Sequence, residues 1–397
     1  MNKVDTCLHG EWGHIVLNEA RRQLALDSLN VLDTPPDERV DRITRMAQQI
    51  FNVPMVSVNL LDRERQWSKS SAGFDAPEEP REGAFCEVTI NQNKTLVIED
   101  LEEDERFASS PYVTEAPNLR FYAGHPIEAP GGEHVGALCL MDTKPRQLDE
   151  HERDLLEDLA HWVQTELAQQ QELDHAAVIQ RALTPRELPQ PAGYTVTAGT
   201  VPAGCVSGDF HDVVLREGRL RVTLADVMGK GTGAGIIASA VRASMRTTPG
   251  RSLLATVSET DALLEQDVGD LNMFVTLFCA DLDTASGHVS YVDGGHSLSF
   301  IRRANGSWEH LNSTGLPLAM GMGQPHELGT AQLHPGDALM CCSDGVLDLF
   351  DLEDPFSQAD GLLAKYSVDG AVQETLRRAR KTQALDDVTV VVVRRDS

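Results

Sequence analysis

Residues 386–393 read Asp-Asp-Val-Thr-Val-Val-Val-Val, two adjacent carboxylates at the mouth of an apolar run. Side chains branched at Cβ suit a pleated strand better than a helix, so the run predicts a buried strand with the aspartates at its end. A charge at the end of a buried strand is costly unless it is paired or holds a cation. The same juxtaposition recurs upstream, where Asp209, Asp226 and Asp344 each sit beside a glycine or at a strand end. Taken singly, each reads equally well as a turn residue capping its own backbone. Taken together, and with no Cys or His at ligand spacing, they form an all-oxygen donor set. Such a set selects hard cations, Mg²⁺ or Mn²⁺, over zinc.

Outward from that run, strands are expected at Thr195–Thr200, Val213–Leu215, Leu220–Ala225, Met273–Asp281, His288–Asp293, Leu298–Arg302 and Ala338–Cys342. Helical spacing marks Gly233–Ser244, Leu253–Asp267 and Val372–Arg380. Many antiparallel strands with few helices predict two packed sheets covered by helices. The N-terminal half reads differently. Helical spacing over 15–50 is broken at Asp33-Thr34-Pro35-Pro36, with Asp37 as a cap for the second segment. Strands follow at Val53–Leu61, Gln66–Ser71, Leu96–Ile98, Tyr122–Ile127 and His134–Met141. This is a second α+β unit, with its helices on one face of the sheet. Between the two lies a helical segment, 149–183, in which Leu155, Leu159 and Trp162 repeat at i, i+4 and i+7. That stripe is buried by a two-chain coiled coil, by packing of its first half on the first sheet, or by both in different segments.

The chain has 397 residues, with 34 Lys+Arg against 61 Asp+Glu, and its net charge of −27 opposes binding to phosphate backbones or anionic lipid. No apolar run approaches the ~18 residues that span a bilayer, so no nucleic-acid or membrane partner is expected and a cytoplasmic location is. Seven cysteines without C-x-x-C spacing read as buried small residues rather than a disulfide framework. Residues 1–19 read as a tail, and its Cys7, His9 and His14 lack the fourth ordered ligand of a zinc site.

The pieces L-D-T-P-P-D-E-R-V-D-R-I (32–43), V-N-L-L-D-R-E-R-Q-W (58–67), E-E-P-R-E-G-A-F-C (78–86), R-F-Y-A-G-H-P-I (120–127) and G-A-L-C-L-M-D (136–142) resemble a GAF sensor domain over 20–165. Such domains hold tetrapyrroles, cyclic nucleotides, haem or nothing. The resemblance makes Trp67, Cys86, Tyr122 and His125 candidate pocket residues, each of which also reads as an ordinary core or strand residue.

The pieces V-S-G-D-F-H-D (206–212), A-D-V-M-G-K-G (225–231), F-V-T-L-F (274–278), D-G-G-H-S (293–297), G-L-P-L-A (315–319), C-S-D-G-V (342–346) and D-D-V-T-V-V (386–391) resemble the sporulation protein E branch of the type 2C metal-dependent protein phosphatases. I-Q-R-A-L-T-P (179–185) is similar to that branch's lead-in helix. The resemblance implies an αββα sandwich over 184–397 with two Mn²⁺ or Mg²⁺ ions between its sheets. Asp209 and Asp226 would hold the ion pair, with Asp226 bridging and the Val227 carbonyl assisting. Asp344 and Asp386 would complete the site, with Asp387 beside them. It further implies signal-regulated hydrolysis of phosphoserine or phosphothreonine in a protein, an antagonist of an anti-sigma factor; a homodimer is expected from the apolar stripe of the 149–183 helix. Ser207, His211, Asp293 and Ser297 depart from the family's usual residues, and Met228 stands where a His general acid is proposed in the wider family. Strand alternation puts His211 on the same face as Asp209, where an imidazole titrating near neutral pH would serve as that acid; the other reading, and the favoured one, is that His211 replaces an aromatic that packs beside the site. Lys230 reads either as a phosphate-facing cation or as a solvated loop residue. A non-catalytic partner-switching scaffold and a GAF-regulated nucleotide cyclase are the other readings. The complete set of aspartates and the motif order favour the phosphatase.

Overall fold

The computed structural model describes residues 18–185, 187–246, 252–350, 353–382 and 384–396. Cys7, His9 and His14 lie outside these residues. The chain divides into two units, Met1–Glu172 and Leu173–Ser397.

In the first unit, helices α1 (18–29) and α2 (Glu38–Ile50) precede the sheet. Asp37 caps α2 as expected, its carboxylate accepting from the Arg39 N–H at 3.0 Å. Strands β1 (Met55–Leu61), β2 (Arg65–Ala72), β3 (Glu78–Pro80), β4 (Leu96–Ile98), β5 (Phe121–Glu128) and β6 (His134–Asp142) form one antiparallel sheet in the order β3-β2-β1-β6-β5-β4. Short helices α3 (Phe85–Thr89) and α4 (Pro111–Thr114) lie in its connections.

The period-2 geometry of strands sorts the side chains into two cores. Val56, Val58 and Leu60 of β1 pack with Leu26 and Leu29 of α1 and with Val40, Ile43 and Ala47 of α2. The opposite face packs Leu61, Cys139 and Met141 against Phe85, Phe107 and Val113. The longer helices therefore cover one face, as expected, and short helical turns with their loops cover the other.

Helix α5 (Glu150–Leu183) runs for 34 residues. Its first half settles the alternative left open by the stripe: Leu156, Leu159, Ala160, Val163 and Leu167 belong to the α1/α2 core. Leu155 packs against the same core, while Trp162 is exposed and donates to Glu166. In the last turns Val178 and Ile179 are 55% and 63% exposed. Among the described residues no helix is long and apolar enough to cross a membrane.

The second unit has two antiparallel sheets. Strands β8 (Asp209–Arg216), β9 (Arg219–Val227), β10 (Val275–Asp283), β11 (His288–Gly294) and β14 (Gly329–Gln332) form one, in the order β14-β11-β10-β9-β8. Strands β7 (Tyr194–Val201), β12 (Ser299–Arg302), β13 (Trp308–His310), β15 (Ala338–Cys342) and β16 (Val388–Arg395) form the other, in the order β13-β12-β15-β16-β7. Val213, Val222, Leu224 and Phe278 of the first sheet meet Leu339 and Val391 of the second, and together they fill the space between the sheets. Helices α6 (Thr232–Arg246) and α7 (Leu253–Val268) cover the first sheet through Ile237, Val241 and Val257. Helices α8 (Pro355–Lys365) and α9 (Val368–Thr382) lie over the second, where Val372 and Leu376 meet Val390 and Val392. The layers are αββα.

Candidate metal centre

Asp209 opens β8 and Asp226 lies near the end of β9, and the ladder pairs them directly opposite each other. Like charges in such a pair are destabilising unless something neutralises them. Both belong to the face of their strands that looks between the sheets, the face of Val213 and of Val222 and Leu224. The second sheet brings Asp344, at the start of a 3₁₀ turn (Asp344–Leu349), and Asp386, just before β16. The carboxylates grade from a buried Asp209 through partly buried Asp226 and Asp386 to an exposed Asp344.

Two latches hold this end of the sandwich. The Ser343 hydroxyl accepts from Thr389 N–H at 2.8 Å and donates to the Asp387 carbonyl at 3.0 Å. Asp387 itself turns away from the other carboxylates: its two oxygens accept from the N–H groups of Ala203 (2.7 Å) and Gly208 (2.6 Å). It thereby fixes the loop that leads into Asp209. Close approach requires a glycine at 345 and leaves a tight fit at 208. A Cβ on Gly345 would collide with the Asp387 carbonyl oxygen, and one on Gly208 would stand 3.2 Å from the Val227 carbonyl oxygen. Ser207 uses its hydroxyl to accept from Asp209 N–H at 3.1 Å, while Gln180 of α5 clasps its backbone at 2.9 and 2.6 Å. Nothing in the spacing around Gln180 points to this clasp, although the residue lies in the 179–185 motif.

Electrostatics show what the cluster lacks. Burial, then the neighbouring Asp226, holds the Asp209 carboxyl well above the usual range. Asp226 is pushed up to about 6 by burial and by Asp344 and Asp386. Asp344 is raised by burial and by Asp386. Asp209 Oδ2 is buried without a hydrogen-bond partner among the described residues. The Lys230 ammonium stands at the edge of the cluster, 2.9 Å from Asp386 Oδ2 and 2.5 Å from the Leu385 carbonyl. Among the described residues no three acidic, imidazole or thiol groups form a finished cage. The donor set nevertheless fits hard divalent cations: it is all oxygen, and a buried carboxylate oxygen without a partner beside mutually repelling carboxylates is what such an ion satisfies.

Residues 216–396 match the family model for stage II sporulation protein E (SpoIIE), and residues 35–167 match the GAF domain. The chain joins a GAF domain to a SpoIIE-type phosphatase domain. Asp226, Asp344 and Asp386 fall inside the SpoIIE match, and Asp209 lies just before it. The chain is 35% identical over 147 residues to the cyclic di-GMP phosphodiesterase PA2567 of Pseudomonas aeruginosa, covering 37% of this chain and 25% of that protein. It is 27% identical over 237 residues to the phosphoserine phosphatase RsbU of Bacillus subtilis, covering 56% and 70%. Among solved structures, the PP2C phosphatase domain with a regulatory fragment of SpoIIE from Bacillus subtilis shares 24% identity, at 51% and 64% coverage and a TM-score of 0.44. The chain thus spans a quarter of the length of the first relative and seven tenths of the second.

In the phosphatase domain His211 does share the face of Asp209, and Asp212 points oppositely to meet Arg246. The His211 imidazole does not titrate near neutral pH, however. Burial lowers it to about 4, and Nδ1 lies 3.0 Å from the Thr200 hydroxyl. Met228 is exposed at the rim. Asp293 accepts from the N–H groups of His296 (2.8 Å) and Ser297 (3.0 Å), holding Ser297 at φ +58°.

In the GAF domain the four candidate pocket residues do not share one pocket. Trp67 belongs to the core under the long helices, and the His125 ring lies 6.2 Å from that of His161 on α5. Cys86 and Tyr122 belong to the opposite core. There the two thiols of Cys86 and Cys139 are 3.1 Å apart, and the Tyr122 hydroxyl reaches Thr89 (2.7 Å) and Cys139 (3.3 Å). Tyr122 and His125 stand an odd number of places apart on β5, so they point to opposite faces and cannot converge.

Proposed function

We propose that this chain is a metal-dependent phosphatase that hydrolyses phosphoserine or phosphothreonine on a partner protein, an antagonist of an anti-sigma factor, under the control of its GAF domain. The observation that carries the reading is the Asp209–Asp226 pair, directly opposed across β8 and β9, with a buried Asp209 oxygen that none of the described residues satisfies. The SpoIIE match and the likeness to RsbU, a phosphoserine phosphatase, support it.

Asp209, Asp226, Asp344 and Asp386, with the Val227 carbonyl as a further oxygen, would hold two divalent cations, Mn²⁺ or Mg²⁺. Such ions would supply Lewis acidity, for acidifying a water and for neutralising the phosphoryl oxygens. The protein's own part is positional. Asp387 fixes the loop before Asp209, and the Ser343 hydroxyl ties the Asp344 turn to β16. The Lys230 ammonium, already beside Asp386, adds positive charge at the rim where a phosphoryl group enters. His211, neutral at pH 7, supports Thr200 rather than donating a proton. The exposed Val178, Ile179 and Leu183 of α5 pair two copies of the chain.

The test is turnover of a phosphoserine protein and of p-nitrophenyl phosphate by the purified chain with Mn²⁺ or Mg²⁺. Chelator abolishes both activities, and Asp226→Asn and Asp344→Asn each lower turnover by about a hundredfold or more. Undiminished activity in excess chelator overturns the mechanism.

A further inference from the structure

Beside the carboxylate cluster the second unit contains a cavity of about 480 Å³, walled by the last turns of α5, β7, the loop before β8, α6 and α9. Its volume lies in the range that holds small organic ligands, ~300–1,000 Å³. Its charge is opposite to that of the chain. In a protein with 61 acidic and 34 basic residues, the lining carries three arginines, Arg181, Arg242 and Arg380, and a single carboxylate, Asp209. Arg181 and Arg380 stand at its exposed edge and Arg242 reaches into its wall, so the cavity presents guanidinium donors from three helices.

These arginines are not committed elsewhere. Arg181 and Arg380 form no ion pair among the described residues. Arg242 Nε is buried without a hydrogen-bond partner among the described residues. Its terminal nitrogen lies 4.0 Å from Asp212, a carboxylate already gripped by Arg246 at 2.5 and 2.6 Å. A buried donor with no acceptor is costly, and an anion in the cavity removes that cost. Guanidinium forks match the paired oxygens of phosphate, and three of them suit a multiply charged group better than a single carboxylate.

We propose that this cavity binds a small phosphate-bearing anion, up to the size of a mononucleotide, at a site that adjoins the carboxylate cluster, with Asp209 in the shared wall, and is held by the arginines rather than by the cluster. The three arginines come from α5, α6 and α9, so the anion draws these helices together. The same stretch of α5 carries Gln180, whose clasp holds Ser207 two residues before Asp209. Occupancy therefore sets the position of Asp209, and this consequence for catalysis rests on the phosphatase reading, whereas the binding does not.

The full-length chain in EDTA, where no metal can retain phosphate, is titrated calorimetrically with inorganic phosphate, pyrophosphate and AMP. Saturable binding of one anion per chain is expected, weakened about tenfold or more by Arg380→Ala and by Arg242→Gln and unchanged by Asp226→Asn. Tighter binding of AMP assigns the site to nucleotides, and tighter binding of the inorganic anions assigns it to free phosphate. If Arg242→Gln fails to fold, the exposed Arg181→Ala and Arg380→Ala carry the same test. No saturable binding, or binding that survives the arginine variants and is lost in Asp226→Asn, overturns the proposal. Failure of turnover with Mn²⁺ leaves this titration unaffected, so the two readings fail separately.

Discussion

At the scale of single residues, the raised carboxyl of Asp226 makes stability depend on pH in a defined direction. Its folded pKa, about 6, exceeds its ordinary value of 3.8, so the metal-free folded state binds the proton more tightly than the unfolded chain. The stabilising contribution is present below about pH 4 and is lost as pH rises through 6. We expect Tm in chelator to fall across that window, by the equivalent of roughly 2–3 kcal/mol, and Mn²⁺ at pH 7 to restore it. Asp226→Asn should flatten this slope; an unchanged slope in that variant would assign it to other groups. Gly345→Ala tests the neighbouring geometry, since its Cβ has no room beside the Asp387 carbonyl oxygen. It should cost about 1–3 kcal/mol in urea unfolding and remove activity with it. The aspartates are legible in the sequence because a charge at the end of an apolar strand is conspicuous. The role of Asp387 is not, because adjacency in sequence says nothing about which way each carboxylate turns. His211 shows the same limit: alternation places its face correctly, and only burial in the folded protein sets its protonation.

At the scale of elements, α5 shows what a periodic stripe can and cannot say. Leu159 and Trp162 satisfy the same spacing, yet Leu159 is buried under the GAF sheet and Trp162 is exposed. The spacing identifies an apolar face, whereas what covers that face depends on residues more than a hundred positions away, such as Ile43 and Ala47 of α2. Charged substitutions in the two halves should therefore behave differently. Leu159→Asp should lower Tm sharply, because an unpaired carboxylate enters the core. Ile179→Asp should leave Tm of the GAF domain unchanged and abolish the proposed pairing of two copies, read as a monomer mass in light scattering. A wild-type monomer at high concentration would remove the pairing role of α5. The strands are legible for a related reason: β15 is expected at Ala338–Cys342 and is found there, because Val, Leu, Met and Cys runs between polar turns leave few alternatives. Strands β13 and β14 and helix α8 are short or polar-edged elements whose existence depends on their neighbours, and no sequence pattern marks them.

At the scale of the whole molecule, two domains of different architecture carry one shared property, a net charge of −27. That field acts on any substrate before contact. At an ionic strength of ~0.01 M it reaches about 30 Å into solvent, and at ~0.15 M about 8 Å. An acidic phosphoprotein is repelled at low salt and approaches more easily as the field is screened, while a basic one loses attraction. Two phosphoserine peptides of opposite net charge, assayed with the same Mn²⁺ concentration at both ionic strengths, separate this long-range effect from the chemistry. With a common phosphoserine and common cations, the hydrolytic step is shared by both peptides. We expect kcat/KM to rise several-fold with salt for the acidic peptide and to fall several-fold for the basic one, with kcat nearly constant for both. An equal response of the two peptides would mean that the field at the carboxylate cleft is set by the bound cations and Lys230 rather than by the charge of the chain.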